Sequence, residues 1–133
     1  MSLNAIKKKG EKQDMAFMTV SVSRKLTENE RETLLKGLGE VQCKLPGKDA
    51  KSLAVIINED VPMYVSGVKQ DNMVYSNIKY TGKFKYQIRS DFTVALFDTI
   101  GNALGTPKER MLLEIDELQF FGGFGDLYDI YYS

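Results

Sequence analysis

Histidine is absent from the 133 residues. That removes the commonest general base near neutral pH, the commonest metal ligand, and every Ser/His or Cys/His nucleophile arrangement. Cys43 is the single cysteine, so neither an intrachain disulfide nor a multi-thiolate zinc site can form. Nothing near Cys43 in the sequence would lower its thiol pKa, and it reads as a small buried apolar residue of a helix.

The charges set further limits. Lys plus Arg equals Asp plus Glu, 18 each, so no global field draws the chain to nucleic acid or an anionic membrane. Lys7, Lys8, Lys9 and Lys12 make residues 1–14 locally basic, but no apolar run follows them as in a secretory signal. This segment reads as a disordered extension, native or an expression scar, with residues 15–133 forming one domain. No stretch approaches the roughly 20 apolar residues of a membrane span. The expected location is cytoplasmic.

Two similar halves must position whatever chemistry there is. Met18, Val20 and Val22 alternate with Thr19, Ser21 and Ser23, the period of a strand with one buried face. Thr27 and Glu30 form a capping box, and Leu34, Leu35, Leu38, Val41 and Leu45 follow at helical spacing. Pro46-Gly47 stops that helix, and the apolar run Leu53-Ala54-Val55-Ile56-Ile57 predicts an interior strand. The plan then recurs. Residues 73–83 suit a strand, Ile88, Phe92, Ala95, Leu96, Thr99, Ile100 and Ala103 form a second helical stripe, and Gly105-Thr106-Pro107 precedes the strand at 111–115. The two helix-to-strand junctions lie about 60 residues apart and match in kind, a weak internal repeat.

The expected fold class is α+β: two βαβ repeats forming a four-stranded sheet with two helices on one face. Each βαβ unit implies a parallel strand pair and a right-handed crossover. The other face has no helix to cover it, so it calls for another subunit. The aromatic tail from Phe120 through Phe121, Phe124, Tyr128, Tyr131 and Tyr132 is a candidate for packing across that interface or on its own sheet.

Several short stretches, in order from Met15 to Tyr128, resemble the macrophage migration inhibitory factor group of the tautomerase superfamily. Residues 15–20 look like the family's opening strand; Gly47-Lys48, then Ser52-Leu53-Ala54-Val55, look like its Gly-Lys-Pro junction and second strand. Residues 61–67 are similar to the segment that ends in a Gly-Gly pair. Thr81-Gly82-Lys83 stands at the Ser-Ile-Gly turn, and residues 107–115 resemble the last main strand. The resemblance implies a homotrimer, no cofactor and no metal, and a small keto or enol carboxylate as ligand.

The family shuttles a proton with an amino-terminal proline. Strand alternation puts Ala16 at that position and Met15 at the initiator, because a one-residue slip to Phe17 would turn the strand inside out. Ala16 carries an amide nitrogen here, and an amide is no base. Lys48 matches the family lysine that contacts the substrate's anionic group; as a helix-end cation it equally suits the helix dipole. Thr81 falls where relatives offer a backbone amide to the substrate. Leu112 and Glu114 replace a tyrosine and an asparagine, which removes a donor and adds a negative charge. The implied function is a degenerate homologue without proline-based keto–enol tautomerase activity. The alternatives are an active isomerase, using a processed terminus at Ala16 or another base such as Glu114, and a nucleic-acid binder, which the neutral charge disfavours.

Overall fold

In the structure, a computed structural model that describes residues 16–129, β1 (Ala16–Val22) opens the fold. Ala16, Met18, Val20 and Val22 are buried and the residues between them half-buried, as the alternation requires. Thr27 caps α1 (Glu28–Gln42): its hydroxyl accepts from the Glu30 amide at 3.1 Å, and the Glu30 carboxylate accepts from the Thr27 amide at 2.9 Å. The chain returns through a single 3₁₀ turn at Ala50–Ser52 into β2 (Leu53–Asn58), parallel to β1. The second half holds β5 (Val74–Thr81), α2 (Tyr86–Leu104), a 3₁₀ turn at Lys108–Arg110 and β6 (Met111–Leu118), again parallel to the strand that began it.

The repeat is closer than its sequence suggests. Strand, helix, 3₁₀ turn and strand of the second half each begin 58 residues after their counterparts, at 16 and 74, 28 and 86, 50 and 108, 53 and 111. The halves join through the antiparallel pair β1–β5, giving the strand order β2-β1-β5-β6. One core unites them, in which Met18, Leu34, Leu38, Ile78, Phe92, Leu96 and Ile100 are at most 1% exposed. Each such side chain contributes roughly 1.5–3 kcal/mol by leaving water. Both helices bury their stripes against the same sheet face, and Gly37 lets them approach: a Cβ there would stand 2.6 Å from Thr99 Cγ2.

Three expectations change, and the aromatic tail takes a definite form. Cys43 is exposed, because it is the residue that caps α1 and its thiol turns back to the Gly39 carbonyl at 3.5 Å. Leu35 lies outside the buried stripe and is 44% exposed. The run at 53–57 is an edge strand, since the pairing of β1 with β5 sends the second strand of each half to the rim. Residues 120–129 form a hairpin of β7 (Phe120–Gly123) and β8 (Asp126–Asp129), in which Tyr128 is buried and Phe120, Phe124 and Leu127 stay exposed. A second hairpin, β3 (Tyr64–Val65) with β4 (Val68–Lys69), went unread in the sequence. Both turn on a pair of positive-φ residues, Ser66-Gly67 and Phe124-Gly125, the signature of a two-residue type I′ turn. Residues 1–15, with their lysines, and Tyr131 and Tyr132 lie outside the described residues.

Arg24 fastens the two halves. Its guanidinium donates to both oxygens of Glu30, at 3.0 and 2.7 Å, and to the Leu104 carbonyl that ends α2. The Arg24 hydrogen bond first, then the Thr27 amide, hold the Glu30 carboxyl down at about 2. A depressed carboxyl gives stability that is present above its unfolded pKa, about 4.3, and is lost as pH falls through the folded value. Chemical denaturation of Glu30→Gln should therefore show a weaker loss of stability between pH 5 and pH 2 than the parent. At pH 7 the variant should be less stable by about 1 kcal/mol, since the pair is partly exposed. An unchanged acid limb would contradict this account.

Candidate functional site

The first residue of β1 and the residue that follows the α1 junction meet at one aromatic ring. Ala16 pairs with Leu53 on one side and Tyr80 on the other. Lys48 reaches the same place by a turn: Pro46 and Gly47 occupy its centre, Gly47 at φ 82°, and the Lys48 amide donates to the Leu45 carbonyl at 3.1 Å. Pro followed by a positive-φ glycine is the composition of a type II turn. Gln42, fully buried at the end of α1, holds the next residue by donating Nε2 to the Asp49 carbonyl at 3.0 Å. Asp49 in turn caps the 3₁₀ turn through Oδ1, 2.9 Å from the Lys51 amide. Thus placed, Lys48 is 6% exposed with Nζ 5.7 Å from the centroid of Tyr80. A cation over an aromatic face at that range is attracted by the ring quadrupole.

Tyr80 is 1% exposed, flanked edge-on by Phe84 and Phe92 at centroid distances of 5.5 and 6.2 Å. Its hydroxyl donates to Glu117 Oε2 at 2.9 Å. Burial first, and then this hydrogen bond to a carboxylate, push the phenol well above its usual range, so it stays protonated. The same Glu117 oxygen accepts the Phe84 amide at 3.0 Å, and Arg89 stands 3.8 Å from the other. An open groove of about 510 Å³, lined by Tyr86, Arg89, Val94 and Ile115 among others, lies outside Glu117.

The half-repeat explains part of this cluster. Glu59, 58 residues before Glu117, accepts the Leu26 amide at 2.7 Å and Arg31 Nη1 at 3.0 Å. Leu26 and Arg31 are the counterparts of Phe84 and Arg89 by the same offset. The carboxylate at each strand end therefore ties down the segment that enters the helix of its own half. The Leu26 amide and Arg31 hold the Glu59 carboxyl below the usual range. Glu117 does this structural work and also receives Tyr80.

The other residues singled out in the sequence fall elsewhere. Thr81 ends β5 on the opposite face from Tyr80; it is 2% exposed, and its hydroxyl has no hydrogen-bond partner among the described residues. Leu112 and Glu114 are exposed on the sheet face away from the helices, whereas Glu117 lies on the helix side of the same strand. Within one chain Ala16 and Lys48 both adjoin Tyr80, Ala16 as its strand partner and Lys48 over its ring, while Leu112 and Glu114 lie on the opposite sheet face. Tyr80, Phe84, Arg89 and Glu117 were missed; comparing Leu26, Arg31 and Glu59 with residues 58 further on would have found three of the four. Among the described residues no group of three His, Cys, Asp or Glu side chains could hold a metal ion, and no helix is long and apolar enough to cross a membrane.

No protein-family model matches the sequence, and no curated protein matches it. Solved structures do match in fold. Macrophage migration inhibitory factor 2 (MIF2) from Leishmania major aligns with a TM-score of 0.76 at 19% identity, covering 86% of this chain and 97% of that one. A macrophage migration inhibitory factor homologue from Prochlorococcus marinus aligns at 0.73 and 20% identity, covering 84% and 98%. A fused 4-OT, described as a symmetric trimer, aligns at 0.70 and 17% identity, covering 77% and 85%. The fold is the α+β fold of these MIF and 4-OT structures.

The geometry predicts that Tyr80 and Glu117 act as a coupled pair. In a double-mutant cycle of Tyr80→Phe and Glu117→Ala, measured by urea denaturation, the coupling should be about 1.5 kcal/mol, as for a hydrogen bond to a charged group. Additivity within about 0.3 kcal/mol would deny the bond.

Proposed function

We propose that this chain is a degenerate MIF-like homologue: it keeps the tautomerase-superfamily fold as a self-associating scaffold and has lost proline-based keto–enol tautomerisation. The observation that carries this reading is the filled place beside Ala16 and Lys48. A proton shuttle needs a group with a free lone pair near the substrate carbon. The Ala16 nitrogen follows Met15 in a peptide bond. Tyr80 stays protonated and bound to Glu117, while Glu117 already serves Tyr80, the Phe84 amide and Arg89. Lys48 lies against the buried ring.

Self-association is supported by surface. Ile56 and Leu112 are exposed on the edge strands, and Tyr64, Val65, Val68, Phe120, Phe124 and Leu127 on the hairpins. A homotrimer is the assembly we propose, since two of the similar solved structures are fused 4-OT proteins described as trimers. Sedimentation equilibrium should give three times the chain mass of 15.0 kDa; a monomer at micromolar concentration would refute the scaffold.

A second reading has its own support, because Ala16 begins the strand beside Lys48. Removal of residues 1–15 would leave a primary amine there, with an unperturbed pKa near 8, able to act on a small keto or enol carboxylate; Glu114 is the other candidate base, for a neutral substrate. Phenylpyruvate ketonisation is the discriminating assay, run with the full chain and with a chain beginning at Ala16. Both should stay at the buffer rate. Acceleration of about 100-fold or more by the shortened chain alone would replace our reading with the processed enzyme. Intact-mass measurement on protein from its natural source tests the processing directly.

A further inference from the structure

The two halves differ where the site lies. At the 58-residue offset, Tyr80 corresponds to Val22, and Lys48 to Thr106. All four are buried, at 1, 1, 6 and 5% exposure. The corresponding places of the repeat are therefore filled by a valine and a threonine, so the fold demands neither ring nor cation there. At the other end the Tyr80 ring meets a complete recognition set. Lys48 Nζ faces the ring at 5.7 Å, Phe84 and Phe92 present edges, and Glu117 accepts the hydroxyl at 2.9 Å. The cation at the face and the aromatic edges favour an aromatic ring, and the carboxylate that accepts the O–H selects a phenol over benzene.

We propose that this enclosure is a binding site for a small phenol, occupied in the native chain by its own Tyr80. The inference rests on the reading above, that the place beside Ala16 and Lys48 does not turn over a substrate, and gives its cause: a tethered side chain stands where a ligand's ring would. The tethered ring is already packed in place at 1% exposure, so free phenol does not enter the intact protein. The valine at the corresponding place in the other half shows what the fold accepts there, which makes Tyr80→Val the substitution that empties the enclosure with least disturbance.

Thermal unfolding of full-length Tyr80→Val and Tyr80→Ala, each with about 10 mM phenol or benzene, tests the proposal. Phenol should raise the melting temperature of the variants by about 3 °C or more and leave the intact chain unchanged. Benzene should raise it less, because Glu117 then lacks its donor. No shift with either compound, or equal shifts with both, overturns the proposal. Should a variant not fold alone, refolding from urea in phenol replaces the melt: recovery that benzene does not give supports the site, and no recovery overturns it. Phenylpyruvate turnover by the intact chain is a separate readout that bears on the proposed function.

Discussion

A carboxylate beyond or near the end of the second strand in each half, Glu59 after β2 and Glu117 within β6, grips the backbone amide ahead of that half's helix and the arginine one turn into it. This pairing fixes where each helix starts over the sheet, and so which of its residues reach the core. Leu34 and Leu38 in α1, and Phe92 and Leu96 in α2, are four residues apart on faces set by that start. The amide is the stronger partner on geometric grounds, at 2.7 and 3.0 Å, while the Arg89 contact is longer than a hydrogen bond. Because the device occurs twice with one spacing, it belongs to the fold and not to a reaction.

What the second half adds is a tyrosine. The ring brings a phenol into a place that the first half fills with valine, and the same carboxylate that holds the helix entrance accepts its proton donor. A carboxylate so occupied is a poor candidate for a general base, and a buried phenol beside it keeps its proton. The lysine is drawn to the same ring. In our reading the groups that could have served chemistry next to Ala16 stabilise one another, and the chain keeps the architecture without the proton shuttle.

The antiparallel β1–β5 pair has a second consequence. It leaves two edge strands and one helix-free sheet face whose surface is mixed: Thr19, Ser21, Asn77 and Glu114 stand among Phe17, Ile56 and Leu112. Such a face does not demand burial as a wholly apolar one would. The exposed aromatics of the two hairpins lie outside the four-stranded sheet, where a further copy could cover them.

Local physics was legible in the amino-acid order. The alternation from Ala16 to Val22, the Thr27–Glu30 box, the breaks at Gly47 and Gly105 and the recurrence of strand, helix and strand all depend on neighbours a few residues away. They survive in the structure with one change: α1 ends at Gln42, so Leu45 lies beyond it and Pro46-Gly47 form the separate turn that leads to Lys48. Lys48 was legible as a candidate, but its ring partner was not. Tyr80 looked like one β-forming residue among several, and only the parallel pairing of β5 with β6 sets it opposite Glu117, 37 residues further on. The edge position of β2, the exposure of Cys43 and Leu35, and the separation of Leu112 and Glu114 from Lys48 were likewise decided by strand order and helix placement. Periodicity tells a side chain which face it shares, but which element covers that face is set only when distant segments meet.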